Sequence, residues 1–571
     1  MSHELSLSIV GAGGDGAVAA GDILSMACAR DGLNVIKTEA YGPQIRGGES
    51  SCTVRISATP IHAQADLNDA MVVFSWADFA RFQDEIVLAP NAIVFHDEKD
   101  APPEALQSFR LVALPFAAQR AAKNIFALGL LAAAFNLPAD LMRDAVRRRF
   151  SKKTEAVIEA NVKAFDEGLV AGSAIETTKL EYVPGAAKLL LAGNDASAMG
   201  AVEAGCRFFA GYPITPSSEI LHYLAENLPK LGGTCLQTED ELAAIGAVVG
   251  ASFAGTKAMT ATSGPGLSLM SEMLGLSSMA EVPSVIVNVQ RGGPSTGIPT
   301  KSEQSDLMHA VFAGHGDTPR VVLACTDVED SFHTTVEGFN IAEEFQLPVI
   351  VLSEQSIAQR RETIESSALV HEVRERRLAG NGDLRDYKRY RLTDDGVSPM
   401  SIPGMEGGEY QTNGLEHDEQ GRPSSMATTH ETMNAKRYRK LDAIADKYRL
   451  FTRFGSLRPD LGILCWGSSA GVVREAVDRL TARGLRVAAF APRILMPLPK
   501  REIAQFVATS KELFIVELSH SQQFYKYLRT EIDLPRETHV LARSGGRNLT
   551  VIEVIDEVQR ILAQTPEEVL A

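Results

Sequence analysis

The sequence predicts an α/β protein of three α/β domains built on parallel-rich sheets. Three observations predict it. Short runs of branched apolar residues, among them "SVIVNVQ", "LPVIVLS" and "LGILCW", recur along the chain. They are bounded by glycine, proline or polar residues, as fully buried strands are. Stretches with helical apolar spacing separate them, which is the alternation of a parallel sheet. The length of 571 residues outgrows one hydrophobic core and sets a prior of about three domains.

The composition is that of a soluble globular chain, 45% hydrophobic and 22% charged. A formal charge of −16 argues against binding to nucleic acid or to an anionic membrane surface. The N-terminus has neither a basic n-region nor an Ala-x-Ala site, and no apolar run reaches the roughly 18 residues of a membrane span. A cytoplasmic protein is expected. The cysteines Cys28, Cys52, Cys206, Cys235, Cys325 and Cys465 are scattered. None forms a C-x-x-C pair, so this chain is expected to hold neither a structural zinc nor an iron–sulfur cluster. In a reducing compartment they act as small buried hydrophobes.

The first domain, residues 1–180, opens with "LSLSIVGAGGDGAVAAGDILSMACARDGLNVIKTEA", which reads strand, glycine turn, helix, strand. Gly11, Gly13 and Gly16 satisfy G-x-G-x-x-G, and Glu39 ends the next strand where a ribose-binding acid would sit. The pattern supports a dinucleotide site. It supports equally a glycine turn that lets a helix lie close to a strand. Gly14-Asp15-Gly16 also matches the start of a thiamine diphosphate magnesium motif, but that motif needs an asparagine at the end of the following strand. Asn34 precedes its strand. The magnesium reading is rejected, so any thiamine diphosphate must have its diphosphate held by another chain.

A polar link, "SAIETTKLEYVPG", leads to a new strand, "AKLLLAG", which starts a second domain over 186–395. From about Arg374 the character changes. "SPMSIPGMEGGEYQTNGLEHDEQGRPSS" is rich in Gly, Pro, Ser and Asn, and 396–455 reads as a long connection, functional or mobile. The third domain, 456–571, begins with "DLGILCWGSSAGVVREAV".

Chemistry concentrates in the second domain. "GYPITPSSE" stands before an amphipathic helix. In "LQTEDELAAIGAVVGASFAG", Thr238 and Glu241 fit a capping box. Gly246, Gly250, Ala251 and Ala254 leave one face of that helix without bulk, so something is expected to pack very close. A glutamate at the mouth of such a helix is placed to be buried and perturbed. "AMTATSGPGLSLMSEML" ends a strand in hydroxyls and turns through Gly-Pro-Gly into a helix N-terminus with free amide donors. Arg291 closes the strand "SVIVNVQ" and opens a loop of glycines and hydroxyls. The carboxyl end of a parallel strand is where an open α/β sheet binds ligands. A guanidinium there suits a carboxylate, or else forms a structural ion pair with a nearby acid.

"YPITPSSE", "EDELAAIGAVVGAS", "TATSGPGLSLMSE" and "VQRGGPSTGIPT" resemble the α subunit of 2-oxoacid:ferredoxin oxidoreductases. "GAGGDG" with "EAYGPQIRGGESSCTVRIS" resembles the γ domain of the same family, fused ahead of α. The resemblance covers nearly the whole chain. The long connection is similar to that of the subclass acting on 2-oxoglutarate.

The resemblance implies a γ domain, a thiamine pyrimidine-binding domain and a transketolase C-terminal-like domain. The activity implied is oxidative decarboxylation of 2-oxoglutarate with coenzyme A to succinyl-CoA, or the reverse carboxylation, with electrons passing to ferredoxin. Its threonine falls on Thr215, beside the thiamine and the substrate carboxyl, with Tyr212 and Pro213 next to the cofactor. The glutamate that hydrogen-bonds the aminopyrimidine N1′ falls on Glu241, with Glu239 a near rival. The substrate-carboxylate arginine falls on Arg291, Thr300 matches a hydroxyl across the pocket, and Arg46 is a further substrate contact from the γ domain. Magnesium and a [4Fe–4S] cluster are implied in a separate β subunit, within a dimer of γα–β heterodimers. Alternatives are the same chemistry on pyruvate, branched-chain or aryl 2-oxoacids, and an NAD-binding regulatory or scaffold protein.

Three other stretches are discounted. His315 and Asp317 in "GHGD" read as a side-chain-bonded turn. Glu416 to Glu419, "EHDE", cannot all face one ion and read as solvated or interface-facing. "SHSQQF" follows a strand but shows no chemistry.

Overall fold

A computed structural model describes residues 2–42 and 48–564; Arg46 lies outside them. Its strands are β1 (Glu4–Ala12), β2 (Asn34–Tyr41), β3 (Glu49–Ser57), β4 (Asn68–Val73), β5 (Leu88–Asp97), β6 (Arg110–Leu114) and β7 (Leu189–Ala192). There follow β8 (Phe208–Gly211), β9 (Thr234–Gln237), β10 (Ala258–Thr262), β11 (Ser284–Gln290), β12 (Val321–Ala324), β13 (Pro348–Glu354) and β14 (Arg361–Ile364). The last are β15 (Phe451–Gly455), β16 (Leu461–Cys465), β17 (Val487–Pro492), β18 (Ile494–Met496), β19 (Glu512–Glu517) and β20 (Thr538–Ala542). They form three sheets, mostly parallel, in a mixed α/β architecture.

The chain divides into two compact units. The first runs to Ala192 and takes in Gln359–Ala368 and Thr550–Ile552; the second holds the rest. The first carries an eight-stranded sheet in the order β6-β5-β4-β1-β3-β2-β14-β7. β1 pairs parallel with β4 but antiparallel with β3, which lies between β1 and β2. The β1–helix–β2 unit therefore does not place two adjacent parallel strands side by side as a dinucleotide-binding unit does, although β1 keeps β4 as a parallel neighbour. Packing explains Gly16 without a ligand. A Cβ on Gly16, whose φ is +79°, would lie 2.3 Å from the Asn124 amide. Asp15 pairs with Lys123 at 2.7 Å, and the Glu39 carboxylate already receives Lys37 and the Tyr41 hydroxyl.

The strand read as opening the second domain, β7, belongs to this first sheet. It pairs antiparallel with β14, which in turn pairs with β2. Apolar pattern finds a strand but carries no information about its partner, here some 170 residues away in sequence.

The second unit holds a seven-stranded sheet, β18-β12-β13-β11-β10-β8-β9, and a five-stranded sheet, β15-β17-β16-β19-β20. β10, β11 and β13 are buried along their whole length, which is why they read as continuous apolar runs. β18 leaves the C-terminal segment to pair antiparallel with β12. One hydrophobic core joins the two sheets, including Ile286 and Leu352 from one and Leu464, Trp466 and Ile515 from the other.

The stretch 396–455 differs most from expectation. It carries a helix, Ala427–Lys447, and it is packed rather than loose. Arg389 and Tyr390 just ahead of it are fully buried. Arg376 grips Glu343 bidentately at 2.8 and 3.0 Å. From the helix, Lys436 and Lys440 each reach the buried carboxylate of Glu281 at 2.7 Å. The helix escaped the sequence reading because much of its buried face is cationic, so the apolar signal at helical spacing is weak. "EHDE" is not solvated either: Glu416 pairs with Arg437 and His430, and the His417 side chain is buried.

Candidate active site

β8, β10 and β11 lie side by side and parallel, so their carboxyl ends open on one edge. Two loops and a helix start leave that edge. The loop Tyr212 to Pro216 follows β8, Gly264-Pro265-Gly266 opens the short helix Gly264–Leu269 after β10, and a loop beginning at Arg291 follows β11. Together they bound a cleft of about 440 Å³ lined by Pro213, Ile214, Thr215, Pro265, Arg291, Ser295, Thr296 and Pro299. The cleft therefore sits where a parallel sheet presents its ligands.

Arg291 forms one wall. Only 6% of it is exposed, and its Nη1 donates to the backbone carbonyl of Thr215 at 2.5 Å. Its buried Nε has no partner, and among the described residues the guanidinium makes no ion pair. Burial lowers its pKa, and the nearby Asp306 charge opposes that shift. A buried cation without a counter-charge costs several kcal/mol. A carboxylate offered to its free edge offsets that cost with charge-assisted hydrogen bonds. Asp306 does not discharge it: burial pushes that carboxyl up, and its hydrogen bond comes from Asn288 Nδ2 at 2.8 Å.

Glu241 comes shortly after β9, the strand beside β8. It is the first residue of the helix Glu241–Phe253, buried at 7% exposure, whereas Glu239 is exposed. The expected capping box is not formed. Asp240 is the N-cap, its Oδ1 accepting from Ala243 N at 2.7 Å, and Thr238 Oγ1 donates to the Asp240 carbonyl. That releases the Glu241 carboxylate from capping, and no other described residue hydrogen-bonds or pairs with it. It lies against Gly266, and Gly264-Pro265-Gly266 is itself the first turn of the helix Gly264–Leu269 rather than a turn ahead of it. A Cβ on Gly266 would come within 2.6 Å of Glu241 Oε1 and 2.0 Å of Thr262 Oγ1. Glycine at this position is what lets the carboxylate approach.

The structure thus puts Pro213, Thr215 and Arg291 on one cleft, with Glu241 behind the Pro265 turn. Tyr212 is exposed, and Thr300 is half-buried on the turn after Pro299; neither lines the cleft. Ser295 and Thr296 do line it and were not singled out in sequence. Their signal was present, two hydroxyls between glycines in "RGGPSTGIPT". The loop is folded back, Gly292 bridging Ile298 and donating from its N–H to the Lys301 carbonyl at 3.0 Å.

The bare face of the Glu241 helix is only partly covered by the described residues: Ala251 packs against the cluster that holds Ala210 and Val248, and a Cβ on Gly246 would just reach Met273 at 4.0 Å. A Cβ on Gly250 would have no neighbour within 4 Å, and Leu242 is 49% exposed. At Gly250 the close packing expected there is not supplied by the described residues. Among the described residues no cluster of His, Cys, Asp and Glu side chains could hold a metal ion, and no helix is long and apolar enough to cross a membrane.

Three family models match consecutive parts of the chain. They are pyruvate ferredoxin/flavodoxin oxidoreductase over residues 6–171, the thiamine diphosphate-binding domain of pyruvate flavodoxin/ferredoxin oxidoreductase over 199–436, and core domain II of pyruvate:ferredoxin oxidoreductase over 459–554. The chain is 38% identical over 367 residues to the 2-oxoglutarate synthase subunit KorA of Methanothermobacter marburgensis, covering 97% of that protein and 64% of this one. It belongs to the 2-oxoacid:ferredoxin oxidoreductase family. The α subunit of 2-oxoacid:ferredoxin oxidoreductase 2 from Aeropyrum pernix is 29% identical and matches 99% of both chains. A solved 2-oxoglutarate:ferredoxin oxidoreductase from Magnetococcus marinus, with 2-oxoglutarate, coenzyme A and succinyl-CoA bound, is 38% identical. It superposes at a TM-score of 0.93 over 98% of this chain and 100% of that one.

The site fits the cofactor that this oxidoreductase family's thiamine-binding domain implies. A buried carboxylate with no partner, a glycine that keeps the space beside it open, and an adjacent cleft walled by an unpaired guanidinium are what an aminopyrimidine and a 2-oxoacid carboxylate require.

Proposed function

We propose that this chain is the fused γ–α subunit of a thiamine diphosphate-dependent oxidoreductase converting 2-oxoglutarate and coenzyme A to succinyl-CoA and carbon dioxide. Electrons leave one at a time towards ferredoxin. The full-length likeness to the Magnetococcus marinus enzyme carries this reading. A β subunit supplies magnesium and the iron–sulfur cluster, and the exposed positions Leu242 and Gly250 of the Glu241 helix support a partner there. Pairs of such γα–β units form the working assembly.

When bound, thiamine diphosphate supplies a carbon nucleophile for the 2-oxo carbon and an electron sink for decarboxylation. This chain's residues do the rest. Glu241 holds a proton at the aminopyrimidine N1′, which sets the tautomer, and its burial keeps that bond out of competition with water. Arg291 binds the carboxylate next to the 2-oxo carbon, and its bond to the Thr215 carbonyl aims the guanidinium across the cleft. Pro213, Pro265 and Pro299 give the cleft rigid, partly apolar walls.

One observation favours a second reading, a monocarboxylic 2-oxoacid. Arg291 is the one cation among the described residues lining the cleft, whereas 2-oxoglutarate brings two carboxylates. The experiment that separates the readings is viologen reduction by the assembled enzyme with coenzyme A and either 2-oxoglutarate or pyruvate. Strong preference for pyruvate overturns the 2-oxoglutarate reading; activity on neither of these, nor on a branched-chain or aryl 2-oxoacid, overturns both.

A further inference from the structure

Glu354 ends β13 and is paired in register with Gln290, the residue before Arg291. Its side chain is 1% exposed, and among the described residues no cation pairs with it. Four donors satisfy it instead. Oε1 accepts from Gln304 Nε2 at 2.8 Å and from the Ser468 backbone N–H at 2.7 Å. Oε2 accepts from Ser302 Oγ at 3.3 Å and from the Ser468 hydroxyl. Burial raises this carboxyl's pKa, and those donors pull it back down.

Gln304 is held just as fully. Besides donating to Glu354 it donates to the Trp466 carbonyl at 2.8 Å, and its Oε1 accepts from Leu518 N at 2.7 Å. Its own N–H donates to the Leu518 carbonyl at 2.7 Å. Trp466 and Leu518 follow β16 and β19 of the five-stranded sheet. The approach depends on Gly467, at φ +58°, where a Cβ would lie 2.0 Å from Glu354 Oε1 and 2.6 Å from Gln304 Nε2. The loop that begins at Arg291 and carries Ser295 and Thr296 thus ends in a segment clamped to the C-terminal sheet.

We infer that Glu354 and Gln304 are positioning residues for Arg291, through which the C-terminal sheet sets the geometry of the carboxylate grip. The inference rests on the role proposed for Arg291. A buried carboxylate with four donors and no cation is a poor stabiliser by itself, because desolvation offsets most of what the hydrogen bonds contribute. Its effect is geometric. It fixes two donors from Ser468 and two from 302–304 around one carboxylate, and so fixes where the Arg291 loop closes.

The test is a double-mutant cycle in the assembled enzyme, reading KM for 2-oxoglutarate, kcat and the melting temperature. Glu354→Gln presents an NH2 group to fixed donors and should raise KM about tenfold with a smaller change in kcat, since misplacement of a binding group by a fraction of an ångström is felt this strongly. In an Arg291→Ala background the same substitution should leave KM unchanged. Equal effects in both backgrounds would overturn the inference, as would a lowered melting temperature with KM intact. If Glu354→Gln does not fold, Ser468→Ala removes only the hydroxyl donor and should show the same dependence on Arg291 at smaller size. An Arg291→Ala enzyme with wild-type KM would instead count against the Arg291 role itself, which separates the two failures.

Discussion

The Arg291 guanidinium donates to the backbone carbonyl of Thr215 at 2.5 Å, joining the loop after β11 to the loop after β8. Neither residue is near the other in sequence. A carbonyl oxygen aims a guanidinium without neutralising it, so the charge stays available to a ligand. An aspartate in the same place would have consumed it.

Arg291→Ala should therefore impair binding rather than folding. Hydrogen bonds to charged groups are worth about 1.5–3 kcal/mol, so KM for the 2-oxoacid should rise about tenfold to a hundredfold. The melting temperature should stay level or rise, because an unpaired buried charge is removed. Steady-state kinetics and a thermal melt check this; unfolding of the variant would point to a structural role.

Glu241→Gln and Glu239→Gln should differ sharply. Glu241 is buried against Gly266, and Glu239 is exposed. The first substitution should lower kcat at least a hundredfold, in the range expected for a positioned proton-holding group, and the second should be close to silent. Gly266→Ala should resemble the first, since its Cβ would occupy the carboxylate's space. Turnover and thiamine titration of the three variants decide the point.

Asp240→Ala should cost about 1 kcal/mol through loss of the N-cap, while Thr238→Ala should cost less because its hydroxyl bonds only a carbonyl at the helix mouth. Denaturant unfolding of the two variants, followed side by side, checks the order.

The Glu281 cluster should show in the pH dependence of stability. Burial pushes Lys440 down to about 7, with Glu281 opposing. Between that value and the ordinary lysine range the unfolded chain binds a proton that the folded chain refuses, so this group makes stability rise with pH across that window. It is flat below. Lys440→Met should reduce the slope of melting temperature between about pH 7 and 9.5 and leave Glu281 paired with Lys436 at 2.7 Å. An unchanged slope would show that Lys440 is charged throughout.

Several features of the site were legible because they are local. Arg291 was placed by the apolar run it ends, and the Gly-Pro-Gly turn by its own residues. The glycine fingerprint was ambiguous for the opposite reason, since whether Gly16 faces a cofactor or Asn124 depends on a helix more than 100 residues away. The cap at Glu241 was misassigned because Thr238 and Asp240 both fit the chemistry, and only the backbone turn selects between them. The Ala427–Lys447 helix is hidden from hydrophobic periodicity because half of its buried residues, Lys436, Arg437 and Lys440, are cations held by ion pairs.

By itself the sequence determined the α/β class, the order of the motifs and the residue types at the strand ends, because strand burial and turn chemistry are written in neighbouring residues. Only the tertiary structure decided that β7 and β14 complete the first sheet and that β18 joins the second. It alone showed that the carboxylate left free is Glu241 and that the Arg291 loop is clamped through Glu354. Those outcomes depend on which distant groups share a buried space, and burial there makes each hydrogen bond or charge pair matter far more than it would in water.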